Sequence, residues 1–151
     1  MKCPSCGHRM DLGKFRRLVR SHMKRAAREH YLREDADPRR WPLAVRISRR
    51  IDLLPRLLVE YSSTMGTNAD AVRGPSRLRS LVVTRHVFAW FLAECSGLTL
   101  QEIGDFIGRD HSSVLHARKQ VDRLLEVQDV DVKFAVESIQ QIALDIWPPN
   151  Q

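Results

Sequence analysis

The sequence predicts an all-α protein, a bundle built around a helix-turn-helix. Three observations predict it. Apolar residues recur at helical spacing in each of the longer segments. The punctuation between them consists of helix caps and glycine stops. No stretch alternates with the period of two that marks a half-buried strand. With 43% hydrophobic residues, the 151-residue chain can pack a core and fits one domain with an appendage, or two small units.

The chain opens with MKCPSCGHRM, a knuckle-like start over residues 1–10. Cys3 and Cys6 have the C-x2-C spacing of half a zinc site, and His22 is a candidate third ligand. A half-site completed by a second chain would make a homodimer through the N-terminal segment. Two free thiols on an untidy terminus is the competing reading. Three cysteines in all do not build a disulfide framework, which points to a reducing compartment. Asp11 can cap the basic amphipathic helix expected over residues 11–37, where Phe15, Leu18, Val19, His22, Ala26 and Tyr31 share a face among Lys and Arg. Residues 38–50 read as a linker with two prolines, in which LAVRISRR could form a short helix.

Asp52 is placed to cap a helix from Leu53 to Thr64, with Pro55 in the first turn, where a missing N–H costs little. GTNADAVRGPSR (66–77) reads as a loop with room for one helical turn. The helix from Leu78 to Cys95 presents Leu81, Val82, Val87, Phe88, Phe91 and Leu92, with Trp90 also assigned to the core and Cys95 read as a small buried residue. Ser96 and Gly97 end it. TLQE at 99–102 fits a capping box opening a short helix with Ile103, Phe106 and Ile107 to bury. Gly108 breaks that helix, and another runs from about Asp110 to Val127 with Val114, Ala117, Val121 and Leu124 on its core side. A last helix over 131–147 carries Val132, Val136, Ile139, Ile142 and Ile146 on one face before PPNQ stops it, so that residues 129–151 form a C-terminal helix and tail. Trp41 and Trp147, beside prolines, are expected to pack the linker and the tail onto the body.

The net charge of +7 is unevenly placed. Residues 1–50 hold 15 Lys/Arg against 5 Asp/Glu, and residues 51–151 hold 10 against 13. Such a balance favours a polyanionic partner, with the first third supplying affinity and another part supplying specificity. No run approaches the ~18 consecutive apolar residues of a membrane span, and the basic N-terminus lacks an apolar signal core. The chain therefore reads as cytoplasmic and associated with the nucleoid.

A capped short helix, a glycine turn and a longer helix make the outline of a helix-turn-helix. In that geometry the first turn of the second helix enters the major groove of double-stranded DNA. The polar run Asp110-His111-Ser112-Ser113 then lies at base edges. Asp110 can cap its helix and accept from a cytosine amino group, and His111 can pack on a thymine methyl or donate. Ser112 and Ser113 can reach bases or phosphates, His116 can reach the backbone, and Arg118, Lys119 and Arg123 are expected along the exposed side. Arg109 either pairs with a carboxylate such as Asp105 or touches DNA.

The run IGDFIGRDHSSVLHARKQV (103–121) closely resembles the signature of the C-terminal DNA-binding domain of the bacterial replication initiator DnaA. SRLRSLVVTRH and RHVFAWFLAECSGLTLQEIG extend the resemblance upstream, and it covers roughly residues 51–128. It implies base reading by Asp110, His111 and Ser112, and backbone contacts from Ser113 and His116. It also implies an arginine in the adjacent minor groove, Arg77 with Arg79 as alternative, and a DNA contact from Arg85. Three differences stand out. The turn has one glycine before Arg109 where the family usually has two, serine replaces threonine at 112 and 113, and Ala93 stands where a lysine is common.

The family's motor is not visible in the sequence. Its phosphate loop, G-x-x-x-x-G-K-(S/T), has no counterpart, because the one Gly-Lys pair, Gly13-Lys14, is followed by Phe15. The expectation is a DNA-binding protein that is not an enzyme and takes no ATP, acting in initiation or regulation of replication. A transcriptional regulator or a DNA-targeting accessory of a mobile element is the alternative. A nuclease would need further carboxylates at ligand spacing around Asp105, Asp110 and His111.

Overall fold

The computed structural model describes residues 43–148. The expected knuckle with Cys3, Cys6 and His22, the basic helix over 11–37, Trp41 and the expected dimer-forming segment lie outside the described residues. Among the described residues the elements are α1 (Leu43–Arg49), a 3-10 turn (Ile51–Leu53), α2 (Leu54–Thr64), α3 (Ala69–Arg73), α4 (Arg79–Cys95), α5 (Leu100–Ile107), α6 (His111–Glu126) and α7 (Val130–Ile146), with no strand.

The bundle is organised around α4. Every residue from Val87 to Ala93 is buried, so this helix is apolar nearly all round in its middle, as a helix enclosed by others must be. It packs against α3, α5, α6 and α7, while α7 also lies on α2. An aromatic file crosses the centre. The rings of Tyr61 and Phe88 lie 6.1 Å apart and those of Phe88 and Phe106 5.9 Å apart, joining α2, α4 and α5. The Tyr61 hydroxyl donates to the Thr84 carbonyl at 3.0 Å, and burial pushes its pKa above the usual tyrosine value.

The core runs past both ends of the span over which the family resemblance is legible. Ile47 of α1 is fully buried, and α7 contributes Val132, Ala135, Val136, Ile139, Ala143 and Ile146 to the same cluster. Each fully buried Val or Ile contributes about 1.5–3 kcal/mol, so α7 is an integral part of this bundle. Trp147 is 3% exposed and donates through Nε1 to the Arg50 carbonyl at 3.2 Å, fastening the tail to the lead-in of α2 as expected.

Local capping sets where the helices begin. The Thr99 hydroxyl accepts from the Glu102 amide while the Glu102 carboxylate accepts from the Thr99 amide, so the capping box at 99–102 is present. The Asn68 and Asp129 side chains accept from the amides of Ala71 and Val132, capping α3 and α7 without a reciprocal bond. Asp52 does not cap α2. The intervening 3-10 turn puts Leu53 at the cap position, and the Asp52 carboxylate pairs with Arg50 at 3.2 Å.

The joint between α5 and α6 is the tightest place in the fold. Gly108 ends α5 in the left-handed region (φ +73°), where a Cβ would be strained. The chain then folds back over α5, and the Arg109 amide donates to the Gly104 carbonyl at 2.8 Å. A Cβ on Gly104 would overlap the Arg109 carbonyl oxygen and lie 3.3 Å from the carbonyl carbons of Arg109 and Asp110. All of these are backbone atoms, so none can swing aside. Gly104→Ala is expected to destabilise the protein by about 1–3 kcal/mol in denaturant unfolding. A loss below about 0.5 kcal/mol, the range of an ordinary surface change, would show that the turn yields.

Candidate nucleic-acid interface

From this joint α6 starts with its polar end outward. Asp110 is the N-cap; its Oδ1 accepts from the Ser113 amide at 2.7 Å and from the Ser112 hydroxyl at 3.0 Å. The Ser113 amide, helped by the Ser113 and Ser112 side chains, holds the Asp110 carboxyl below the usual carboxylate range, so it is ionised at neutral pH. Asp110, His111, Ser112, Ser113, His116 and Lys119 are all exposed, whereas Val114, Ala117 and Val121 face the core. The helical periodicity predicted this division for these residues, whereas Leu124, expected on the core side, is half-buried. Leu115, which sequence reasoning passed over, lies on the outward side with 37% exposure. Its signal was an apolar residue out of phase with the core stripe.

Behind that first turn lies an open cleft of about 360 Å³. Arg85, His86 and Ala89 of α4 form one wall, Arg109 closes the end at the turn, and Ser112, Ser113 and His116 form the other wall. His86 and His116 meet edge to face at 5.9 Å. Burial, with the adjacent His116 and Arg85, holds the His86 imidazole below the usual histidine pKa. Burial and the neighbouring Arg109 also lower the pKa of Arg85, which stays charged at neutral pH. A cleft with two guanidiniums, two imidazoles and two hydroxyls at the N-terminus of a sixteen-residue helix suits an oxyanion.

The arginines differ from expectation in ways that matter. Arg85, expected at a DNA surface, is 7% exposed and donates to the carbonyls of Val72 (2.7 Å), Gly74 (3.0 Å) and Ser76 (3.1 Å). It lines the cleft while holding the loop before α4. Among the described residues Arg109 pairs with no carboxylate, and Asp105 accepts from Gln101. Its guanidinium donates to the carbonyls of Arg73, Gly108 and Gly74. Arg118 is not on the exposed side. Its side chain is 11% exposed and is paired with Glu94 at 2.9 Å, where α6 crosses α4. Nearby, the Trp90 indole donates to Asp122 at 3.0 Å. Arg79 lies 3.4 Å from the Asp129 carboxylate and 3.8 Å from that of Asp131, while Arg77 is exposed with no ion pair or hydrogen bond among the described residues.

Comparison with known proteins gives this geometry its family. Residues 60–121 match the family model described as the bacterial DnaA protein helix-turn-helix. These residues form a helix-turn-helix domain of the bacterial DnaA type. Chromosomal replication initiator proteins DnaA are similar to the chain over much the same length. That of Deinococcus deserti is 35% identical over 85 residues, covering 56% of this chain and 18% of the relative. That of Deinococcus radiodurans is 37% identical over 84 residues, covering 56% and 16%. That of Lactobacillus acidophilus is 28% identical over 90 residues, covering 59% and 20%. The chain thus spans about a fifth or less of these relatives. In this DnaA-type domain the matched stretch reaches from α2 to α6 and contains the whole cleft; α7 lies beyond it. No helix among the described residues is long and apolar enough to cross a membrane.

The pH behaviour of the cleft is open to measurement. The folded state disfavours protonated His86, so between its folded pKa and the unfolded value of about 6.5 the unfolded chain binds more protons. Stability therefore falls as pH drops through that window. In an NMR titration of the imidazole protons of the DNA-free protein, His86 is expected to titrate below the ordinary histidine value. Titration at or above that value would contradict the burial and the cationic surroundings assigned to it.

Proposed function

We propose that the chain is a sequence-specific double-stranded DNA-binding protein that recognises a DnaA-box-like element through its DnaA-type domain and acts in the initiation or regulation of DNA replication. The observation that carries this reading is the start of α6, where the side chains from Asp110 to Ser113 are all exposed while Val114, Ala117 and Val121 seat the helix on the core. Placed in the major groove, this turn offers an ionised acceptor at Asp110 to a cytosine amino group and the imidazole of His111 to base edges. Ser112 reads beside them, and Leu115 supplies an apolar contact for a thymine methyl. The cleft takes a backbone phosphate between Ser113, His116 and the guanidiniums of Arg85 and Arg109, while Lys119 reaches the next stretch of backbone. Arg77 enters the minor groove; Arg79, held by two carboxylates, is the poorer candidate. The sequence contains no phosphate loop, and the activity assigned to it is occupancy of boxes, without ATP hydrolysis.

Fluorescence anisotropy at near-physiological salt, comparing a duplex carrying an initiator-type box with a scrambled duplex of equal composition, tests the reading. The boxed duplex should bind tenfold tighter or more, about 1.4 kcal/mol. His111→Ala should remove roughly 1–3 kcal/mol from cognate binding and little from scrambled binding. Equal, steeply salt-dependent binding to both duplexes would mean that charge alone attracts DNA.

A further inference from the structure

Sequence-specific recognition of the kind proposed above needs two readers on one duplex, the first turn of α6 and Arg77 thirty-odd residues upstream. The two are not joined by secondary structure, because Arg77 lies between α3 and α4 in the loop containing Gly74, Pro75 and Ser76. Three guanidiniums nonetheless tie that loop and α3 down. Arg109, in the turn of the helix-turn-helix, donates to the Arg73 and Gly74 carbonyls. Arg73 returns the contact, donating to the Phe106 carbonyl at 3.1 Å with its guanidinium 4.7 Å above the Phe106 ring. Arg85 holds Val72, Gly74 and Ser76 from α4. Among the described residues these guanidinium tethers end at Ser76, the Leu78 amide donates back to the Ser76 hydroxyl at 3.3 Å, and the exposed Arg77 between them has no ion pair or side-chain hydrogen bond.

We propose that Arg109 and Arg73 are positioning residues that clamp the 74–77 loop to the helix-turn-helix, so that Arg77 and the first turn of α6 engage DNA as one rigid unit. This rests on the DNA-reading function proposed above. The planar fork of an arginine suits the task because one guanidinium can hold carbonyls from both sides of the joint at fixed angles. Arg109 does this, joining Gly108 of its own turn to Arg73 and Gly74 of the other segment. A lysine would keep the charge and lose the fork. The clamp removes conformational freedom from Arg77 before DNA arrives, which is how preorganisation raises affinity without adding a contact.

A double-mutant cycle on the boxed duplex, with the full chain, tests it. Arg77→Ala alone is expected to weaken box binding about tenfold. In an Arg109→Lys background, itself weakened to a similar degree, the further loss from Arg77→Ala should be less than twofold. Thermal melting of each variant checks that the chain is folded at the assay temperature. If Arg109→Lys is not, Arg73→Gln replaces it in the cycle, since Arg73 is exposed and leaves the core untouched. Losses that multiply, so that Arg77→Ala costs the same tenfold in either background, would overturn the clamp and leave the box reading standing. So would parent-like binding by Arg109→Lys, because charge alone would then suffice. A parent protein that does not distinguish boxed from scrambled DNA would overturn the box reading and the coupling with it.

Discussion

The close approach of the Arg109 backbone to Gly104 is the constraint on which the rest of the site depends. Without a side chain at 104, the residues after Gly108 can fold back over α5 and bond to it, and this contact sets the direction in which α6 leaves the turn. With one glycine before Arg109, the whole reversal is made at a single left-handed residue, and the amides of Gly108 and Arg109 both donate to the Gly104 carbonyl. The same contact brings the Arg109 side chain against the carbonyls of residues 73 and 74. Where α6 points and how the preceding loop is held are therefore two outcomes of one backbone packing event.

Seven of the described arginines fall into two electrostatic groups, and the division follows the site. Arg50, Arg56, Arg79 and Arg118 face carboxylates, which cancel most of their field. Arg85 and Arg109 are bonded to carbonyls, and Arg73 to a carbonyl and a ring face. Carbonyl dipoles satisfy the N–H donors but leave the net charge in place, so two unneutralised cations look into the cleft beside the N-terminus of α6. An anion entering there meets charge that is already oriented, in a recess where solvent screens it less than on open surface. The excess of Lys and Arg in residues 1–50 is of another kind, a long-range attraction that carries no register.

Much of this was legible in the sequence wherever the rule is local. The capping box at Thr99 and Glu102, the stop at Gly108, the cap at Asp110 and the core stripe of α6 each depend on residues within four or five positions of one another. Asp52 shows the limit of that logic: it is a good capping residue, but the 3-10 turn moved the helix start past it and Arg50 took its carboxylate. The partners of the arginines were hidden for a different reason. Apart from Gly108 beside Arg109, the carbonyls that Arg85 and Arg109 bind lie 9 to 36 residues away, and a carbonyl leaves no mark in a sequence. The pairing of Arg118 with Glu94 depends on where α6 crosses α4, which no spacing encodes. The close-packing role of Gly104 did leave a trace, a glycine on the buried side of a short amphipathic helix. Its physical cause emerged only with the chain reversal above it.

The account stands or falls on which surface meets DNA. The most direct measurement is a map of backbone amide shifts in the NMR spectrum of the protein as a duplex bearing an initiator-type box is added. The account predicts that the largest changes fall at Arg77, at residues 109–116 and at His86, with the outward face of α7 (Phe134, Glu137, Gln141 and Leu144) unaffected. Changes concentrated on α7, with the first turn of α6 silent, would contradict it.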